Sequence, residues 1–413
     1  MGSYCGGSHL SRRDVLRVAV TIGSTTGIAG CIGDNGTIPS GDPENRPNRQ
    51  HAWNAVLHTD NDGNHVPPEH HVLLGLSLHG DVTEAARDVV EHALSQLEAG
   101  YAYDPDGLLF AIGYSPTYFE HIGVESPIPH PIALSNQEDT DIDTVDAIVH
   151  LASNHAQAVL EAENALVGDA DPEKFDPILF DDVFELYGRR SGFVGSGLPA
   201  AESDHPAVPD AIPEEAPFLM GFRSGFAESQ APEDRVTLDS GKFQGGTTMH
   251  IESSTFNLRQ WYEQDSHDQR VAKLFSPAHA DIGIGTIGEV LDTDPRVLDQ
   301  ADNTRADARN RGIVGHAQKA ARARDADGTP PLLRRDVNTL DNDQPGLHFI
   351  SYQRSISEFI AVREAMNGTD LTGSGVGSRH NNGILQYIHV TRRGNFLIPP
   401  REQRALPTLE PTS

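Results

Sequence analysis

Residue types that could carry out chemistry are unevenly distributed along this chain of 413 residues. Both cysteines, Cys5 and Cys31, lie near the N-terminus, within a leader-like segment. The rest of the chain therefore has no disulfides, cysteine-bound metals or cysteine nucleophiles. It also contains no phosphate-binding loop, HExxH motif or GxSxG elbow. The acidic run from Asp139 to Asp143 lacks the glycine and terminal glutamate of a calcium-binding EF-hand.

The first residues have the pattern of an export signal. Arg12 and Arg13 precede a weakly apolar run over residues 18–30, which is well short of the ~20 residues that span a bilayer. The run ends in Ile-Ala-Gly-Cys31, which resembles the lipobox of lipoproteins. We predict that residues 1–31 are a twin-arginine lipoprotein signal and that Cys31 is lipidated on the extracellular face of the membrane. The alternative is an ordinary cleaved signal with an incidental cysteine.

The charge balance is strongly acidic. The chain has 31 Lys plus Arg and 60 Asp plus Glu, which gives a formal net charge of −29. This charge repels nucleic acid, so we expect no nucleic-acid partner. An acidic, lysine-poor surface is typical of halophilic proteins, because a Debye length of ~3 Å at 1 M salt screens the self-repulsion. The 37% hydrophobic content is enough for a packed core, and the length predicts two domains.

Hydrophobic periodicity predicts an α+β fold after a flexible tether at residues 32–49. Strands are expected at 70–80, 107–116, 147–154 and 183–193, with helices after the first and third. This β-α-β-β-α-β order predicts a ferredoxin-like unit with an antiparallel sheet.

The second half begins with the same plan. A strand at 247–257 and one helix over 258–275 precede a polar insertion at about 281–335, and then strands at 346–354 and 384–400 flank another helix. We predict domains at 50–212 and 213–405, divided near residues 209–216, and a tail at 406–413. Structured insertions of this length are usually functional.

Several segments, in order, resemble the DyP-type (dye-decolorising) haem peroxidases, and the resemblance covers about residues 50–400. The segments are RQHAW (Arg49–Trp53), GLLFAIGYSPTYF (Gly107–Phe119), FLMGFRSG (Phe218–Gly225), GHAQKAARA (Gly315–Ala323), LLRR (Leu332–Arg335), GLHFISYQR (Gly346–Arg354) and NFLIPP (Asn395–Pro400). Each match is weak alone, and their shared order makes the resemblance specific.

The resemblance implies roles for single residues, with haem b as the cofactor. His316 aligns with the axial ligand of the haem iron, and Phe349 is expected to contact the haem. Arg334 aligns with the distal arginine that stabilises charge as peroxide is cleaved. Arg335 competes for that role, and an exposed basic pair is the non-functional alternative.

Two departures from the family pattern affect the expected chemistry. Ser224 occupies the position of the aspartate that moves protons on peroxide, and Gln386 occupies the position of a carboxylate that hydrogen-bonds the axial imidazole. An amide partner gives the axial imidazole less anionic character than a carboxylate partner does, which should raise the reduction potential of the iron. Asp336 or Glu228 could supply a substitute carboxylate, unless both are ordinary solvated acids.

Three functions remain open at this level. The first is a peroxidase that uses hydrogen peroxide and a small organic reductant, weakened by the Ser224 substitution. The second is a haem- or iron-handling surface lipoprotein without useful turnover, and the third is a scaffold without haem. Whether the chain forms a homo-oligomer is not determined by the sequence. Candidate aromatic residues for electron transfer, each of which could instead be plain core, are Tyr352, Trp261, Tyr262 and Tyr387.

Overall fold

The computed structural model describes residues 38–60, 63–136, 138, 140–168, 174–175, 180–223, 229–284 and 296–409. The predictions made for Cys31, Ser224 and Glu228 lie outside the described residues. Among the described residues, no helix has both the length and the apolar character needed to cross a bilayer.

A sheet of ten strands forms the centre of the described fold. The strands are β1 (His70–Leu78), β2 (Leu109–Tyr114), β3 (Asp141–Ile142), β4 (Ala147–Ser153), β5 (Phe184–Phe193), β6 (Thr247–Phe256), β7 (Leu333–Arg334), β8 (Val337–Thr339), β9 (Gly346–Gln353) and β10 (Ile388–Ile398).

The described residues also form α-helices, which connect these strands. They are α1 (Glu84–Gly100), α2 (Pro116–His121), α3 (Ala156–Val167), α4 (Leu198–Ala201), α5 (Glu233–Val236), α6 (Leu258–Gln264), α7 (His267–Leu274), α8 (Pro277–Ile282), α9 (Val297–Ala301), α10 (Thr304–Asn310), α11 (His316–Ala320) and α12 (Ile356–Asn367).

The strand order repeats between the two halves. The neighbours run β2-β4-β1-β5 in the first half and β8-β9-β6-β10 in the second, and both are the antiparallel ferredoxin-like order. β5 pairs with β8 at Phe193 and Asn338, and β10 pairs with β2 at Leu397 and Tyr114, so the sheet closes into a barrel-like ring. The predicted α+β fold class is confirmed. The predicted domain boundary falls in the connection between β5 and β6, and as a division into domains it stays a prediction.

Side-chain alternation divides the core into layers. On β1, Leu73 faces the interior of the ring, where it packs with Ile251 and Phe396, whereas Val72 and Leu74 pack under α1 and α3. Complete burial of one such side chain contributes about 1.5–3 kcal/mol. The outer face of the second half has its own cluster around Trp261.

The single helix predicted over residues 258–275 is two helices, α6 and α7. Ser266 begins the second one, because its side chain accepts a hydrogen bond from the Gln269 amide while Oε1 of Gln269 accepts one from the Ser266 amide at 2.8 Å. This capping box satisfies amide groups that have no partner within a helix. The chain therefore turns at Asp265 instead of continuing as one helix.

Candidate functional site

A large cavity lies between the outer face of the second sheet half and the helices that follow it. It encloses about 1330 Å³, including its mouth to solvent. Because strand side chains alternate, Glu252 of β6 and Phe349 of β9 reach this cavity from the sheet. The walls are mainly apolar, and their polar members are Arg223, Ser229, Glu252, Ser254, His316, Arg324, Arg334, Asp336 and Arg363.

His316 enters the cavity as the first residue of α11. Gly315 allows this position, because a Cβ there would overlap the carbonyl of Phe275. Gly383 adopts a positive φ of +62°, and a Cβ there would lie 3.1 Å from the His316 backbone. The Gly383 amide also donates to the Val314 carbonyl at 2.9 Å. Two glycines therefore fix where the histidine sits.

The imidazole of His316 is held neutral. Burial, together with the smaller effects of the nearby basic groups Lys319, Arg334 and Arg363, lowers its pKa to about 3. Its Nδ1 atom is buried and has no hydrogen-bond partner among the described residues. A neutral imidazole can bind a metal ion through a ring nitrogen.

Arg334 and Asp336 form a charged pair in the same cavity. The Arg334 amide donates to Oε1 of Gln230 at 2.7 Å, and its Nη1 donates to Oδ2 of Asp336 at 3.1 Å. The partner carboxyl is only 5% exposed. Burial, with a smaller contribution from Glu252, raises the pKa of Asp336 to about 6 against the opposing effect of Arg334. Asp336 can therefore exchange a proton near neutral pH.

A buried ionic network lies beneath this pair. Arg393 donates to Oε2 of Glu252 at 2.7 Å and to Oε1 of Glu138 at 3.0 Å. Arg363 joins the same two carboxylates at 3.3 Å and 2.8 Å. Two positive and two negative charges thus satisfy one another at the cavity wall, where Glu252 and Arg363 line the cavity. Charges this deeply buried persist in proteins when they are paired and hydrogen-bonded.

The predicted site residues are partly brought together. His316, Arg334, Asp336 and Phe349 all line the cavity. Gln386 does not line it, and its side chain accepts from the Asn381 amide at 3.3 Å and donates to Tyr387 Oη at 2.6 Å. The predicted hydrogen bond from the axial imidazole to Gln386 is therefore absent from the described residues.

Arg335, the alternative to Arg334, lies elsewhere. Its guanidinium stacks 3.9 Å from the ring centroid of Trp53, and Nη2 donates to the His51 carbonyl at 2.7 Å. Consecutive strand residues point to opposite faces, so only one of the two arginines can enter the cavity. Tyr352 lies on the Arg335 side, 4.9 Å from its guanidinium.

The remaining candidate aromatic residues lie behind the cavity. Trp261 contacts Tyr387 edge to face at 4.8 Å, and its indole donates to the Met220 carbonyl at 2.9 Å. Tyr262 donates to the Leu219 carbonyl at 2.9 Å. These contacts fit core packing as well as electron transfer, and the electron-transfer role stays a prediction.

Sequence reasoning missed Glu252 and the arginines Arg223, Arg324 and Arg363. Glu252 could have been found, because a charged residue within the predicted strand TTMHIESSTF at residues 247–256 must be paired if it is buried. Arg223 lies in a loop, Arg324 directly follows a short 3-10 helix, and Arg363 lies in α12, so the three are far apart in sequence. Their convergence depends on tertiary packing, which no local pattern encodes.

Comparison with known proteins relates the chain to one family and one fold. A family model described as a family of unknown function (DUF7405) matches residues 68–400. No curated protein matches the chain.

Solved structures match nearly the whole chain. A DypB variant from Rhodococcus jostii RHA1 in complex with haem is 13% identical, with a TM-score of 0.54, and the match covers 88% of this chain and 100% of that one. The encapsulated DyP-type peroxidase from Mycobacterium smegmatis is 13% identical, with a TM-score of 0.52 and coverage of 84% and 97%. A dye-decolorizing protein from V. cholerae is 13% identical, with a TM-score of 0.52 and coverage of 86% and 99%. These likenesses show the fold.

Proposed function

Because the chain belongs to the family of unknown function DUF7405 and has the fold of DyP-type peroxidases, we propose that it is a haem b-dependent peroxidase of modest activity. Its substrates would be hydrogen peroxide and a small organic reductant. The observation that carries this proposal is the convergence of His316, Arg334 and Asp336 on one cavity.

The residues of this cavity fit a haem. The cavity opens to solvent and is lined mainly by apolar side chains from the sheet and from the helices that follow it, as ligand and cofactor sites usually are. Nδ1 of His316 is buried without a described partner, and the neutral ring leaves its Nε2 to bind iron. Apolar walls suit a porphyrin, and Arg223 and Arg324, which also line the cavity, could pair with its two carboxylates in a protein that is otherwise strongly acidic.

Bound haem would supply the iron at which peroxide is cleaved and electrons are taken from the reductant. Asp336 would accept a proton from one peroxide oxygen at its carboxylate and return it to the other. Its pKa of about 6 suits this exchange near neutral pH. Arg334 holds the carboxylate through the 3.1 Å bond and would stabilise the negative charge that develops on oxygen.

Absorption spectra of His316→Ala test the ligand assignment. We expect the wild-type protein, purified in high salt and loaded with haem, to show a Soret band that the variant loses. His389→Ala is the matched control, because this histidine is exposed on β10. Full haem occupancy in His316→Ala would show that the ligand and the site built on it are wrong.

A second function, haem handling without useful turnover, is favoured by one observation. The described residues provide no acceptor for Nδ1 of His316, so the imidazole lacks the anionic character that a carboxylate partner gives. Peroxide-dependent dye oxidation separates the two functions. A haem-loaded protein that oxidises the dye no faster than free haem supports the second.

For localisation, we propose export by the twin-arginine route and a lipid anchor at Cys31, outside the cell membrane. The support is the sequence of the first 31 residues, with Arg12 and Arg13 before the lipobox-like segment. The net charge of −29 supports a halophilic setting.

A further inference from the structure

A second cavity lies on the opposite face of the same strands. It encloses about 1010 Å³, including its mouth, and is lined by β1, β5, β6, β9 and β10 together with the loop after β8. Ser253 and His348 line it, whereas their neighbours Glu252 and Phe349 line the first cavity. The two cavities are therefore separated by the thickness of the sheet.

Three residues in this cavity form a continuous hydrogen-bonded relay. Ser253 and His348 are directly paired across β6 and β9, and Ser253 Oγ lies 3.0 Å from His348 Nδ1. His348 Nε2 lies 3.1 Å from Oδ2 of Asp341. Asp341 is itself fixed by Ser191, which donates its amide at 2.9 Å and its hydroxyl at 2.7 Å. This is the connectivity of nucleophile, base and orienting acid.

The charge states of Asp341 and His348 determine which group donates each hydrogen bond between Ser253, His348 and Asp341. Burial raises the pKa of Asp341, but hydrogen bonds from His348 and Ser191 outweigh that effect and leave the pKa lowered. Burial lowers the pKa of His348, against the opposing effect of Asp341. A neutral imidazole beside an ionised carboxylate must donate from Nε2, so its Nδ1 carries the lone pair. The Ser253 hydroxyl then donates to Nδ1, as in an activated serine.

Cationic groups line the same cavity. Arg190 is close enough to His348 to lower its pKa, and it pairs with the buried Asp143. Nη1 of Arg190 is buried and has no hydrogen-bond partner among the described residues. Arg392, which is 40% exposed, lies 3.6 Å from the same Asp143 carboxylate. A spare guanidinium donor can bind a carboxylate or a developing oxyanion.

The backbone is irregular next to the serine. The pairing of β6 with β10 shifts register between Val390 and Arg392, so Thr391 is an extra residue opposite Ser253 and Ser254. The Thr391 hydroxyl donates to the Ser253 carbonyl at 3.0 Å. Bulges of this kind are common beside active sites, where they redirect side chains.

We propose that Ser253, His348 and Asp341 form a second active site, which hydrolyses carboxylic esters bearing an anionic group. Ser253 Oγ attacks the carbonyl carbon, and its proton passes to His348 Nδ1 and then to the departing alcohol. Water then attacks the acyl-serine, gives a proton to the same nitrogen and releases the carboxylic acid with Ser253 restored. Arg190 binds the anionic group of the substrate.

Labelling with a fluorophosphonate tests the nucleophile. We expect one adduct per chain, located by peptide mass spectrometry at Ser253, and the same labelling rate whether or not the protein is loaded with haem, because the site does not depend on haem. Asp341→Asn should slow labelling by at least about 10²-fold, because the base loses its orienting charge. Ser351→Ala is the matched control, since this buried serine of β9 bonds Gln353 and lines neither cavity.

Each variant is checked for folding by its thermal melt. An unlabelled Ser253 in folded wild-type protein overturns the proposal, as does wild-type labelling in folded Asp341→Asn. Hydrolysis of nitrophenyl hemisuccinate and nitrophenyl acetate tests the substrate class. Arg190→Gln should raise KM at least tenfold for the hemisuccinate and leave the acetate unchanged, and equal effects on both esters refute anion recognition.

Discussion

Asp336→Asn is the most informative change at the proposed peroxidase site, because it should alter activity and stability in opposite directions. Asparagine keeps the shape of the side chain and an oxygen that can accept from Arg334 Nη1, now 3.1 Å from Asp336. Asparagine cannot take up or release a proton, so the variant loses the proton transfer that we propose for Asp336. With a pKa of about 6, Asp336 is roughly nine-tenths ionised at pH 7.

The activity loss follows from proton transfer. Positioned acid–base groups contribute about 10²- to 10⁴-fold, so we expect a loss of that size in kcat/KM for peroxide. In wild type the rate should rise with pH through about 6, as the carboxyl ionises, and this rise should disappear in the variant. Stopped-flow kinetics of the haem-loaded protein measures both effects, with His389→Ala as the control.

The stability gain follows from linkage. The folded pKa is raised from 3.8 to about 6, so the contribution of the carboxyl to stability is complete below pH 3.8 and is lost as pH rises through about 6. At 1.36 kcal/mol per pH unit, the loss is roughly 3 kcal/mol at pH 8. At pH 8 the free energy of unfolding of the variant should therefore be higher than that of wild type. The difference should shrink as the pH is lowered toward 4. A variant that keeps full activity and gains no stability at pH 8 would refute the reasoning.

Three further predictions concern the supports of the site and the anchor. Arg393→Gln removes a positive charge that pairs with two buried carboxylates, so the free energy of unfolding measured with denaturant should fall by about 3–5 kcal/mol. Gly383→Ala should weaken haem binding in a titration, because the new Cβ would lie 3.1 Å from the His316 backbone at a positive φ, whereas Gly63→Ala, also at a positive φ but in open space, should not. Cys31→Ser should release the protein from the membrane in fractionation, and unchanged retention would contradict lipidation.

Local pattern predicted the elements better than it predicted their assembly. The apolar strand 70–80 and the helix after it were predictable because their periods of 2 and 3.6 are local properties. Closure of the ring depends on single pairings such as Phe193 with Asn338, which lie 145 residues apart and have no sequence signature. The break at Ser266 was readable in principle, because Ser266 and Gln269 have capping-box spacing.

The same contrast applies to the site. Arg334 and Asp336 are two residues apart, so any extended backbone puts them on one face and makes Asp336 the natural substitute carboxylate. Gln386 was assigned through a resemblance in a loop, where one turn redirects the side chain to Asn381 and Tyr387. Asp336 therefore lines the cavity beside Arg334, whereas the side chain of Gln386 points away from it, and the roles of both residues stay predictions.

Burial explains how the carboxyl of Asp336, which lies beside an arginine, can have a raised pKa. An exposed aspartate at 3.1 Å from a guanidinium would titrate below its ordinary value, because the ion pair favours the charged form. Here burial acts in the other direction, and Glu252 adds a second negative charge on the same side. Arg363 and Arg393 lie 3.3 Å and 2.7 Å from Glu252, so this carboxylate belongs to a buried ionic network. Its effect on the pKa of Asp336 is smaller than that of burial, which is therefore the main reason that Asp336 can exchange a proton near neutral pH.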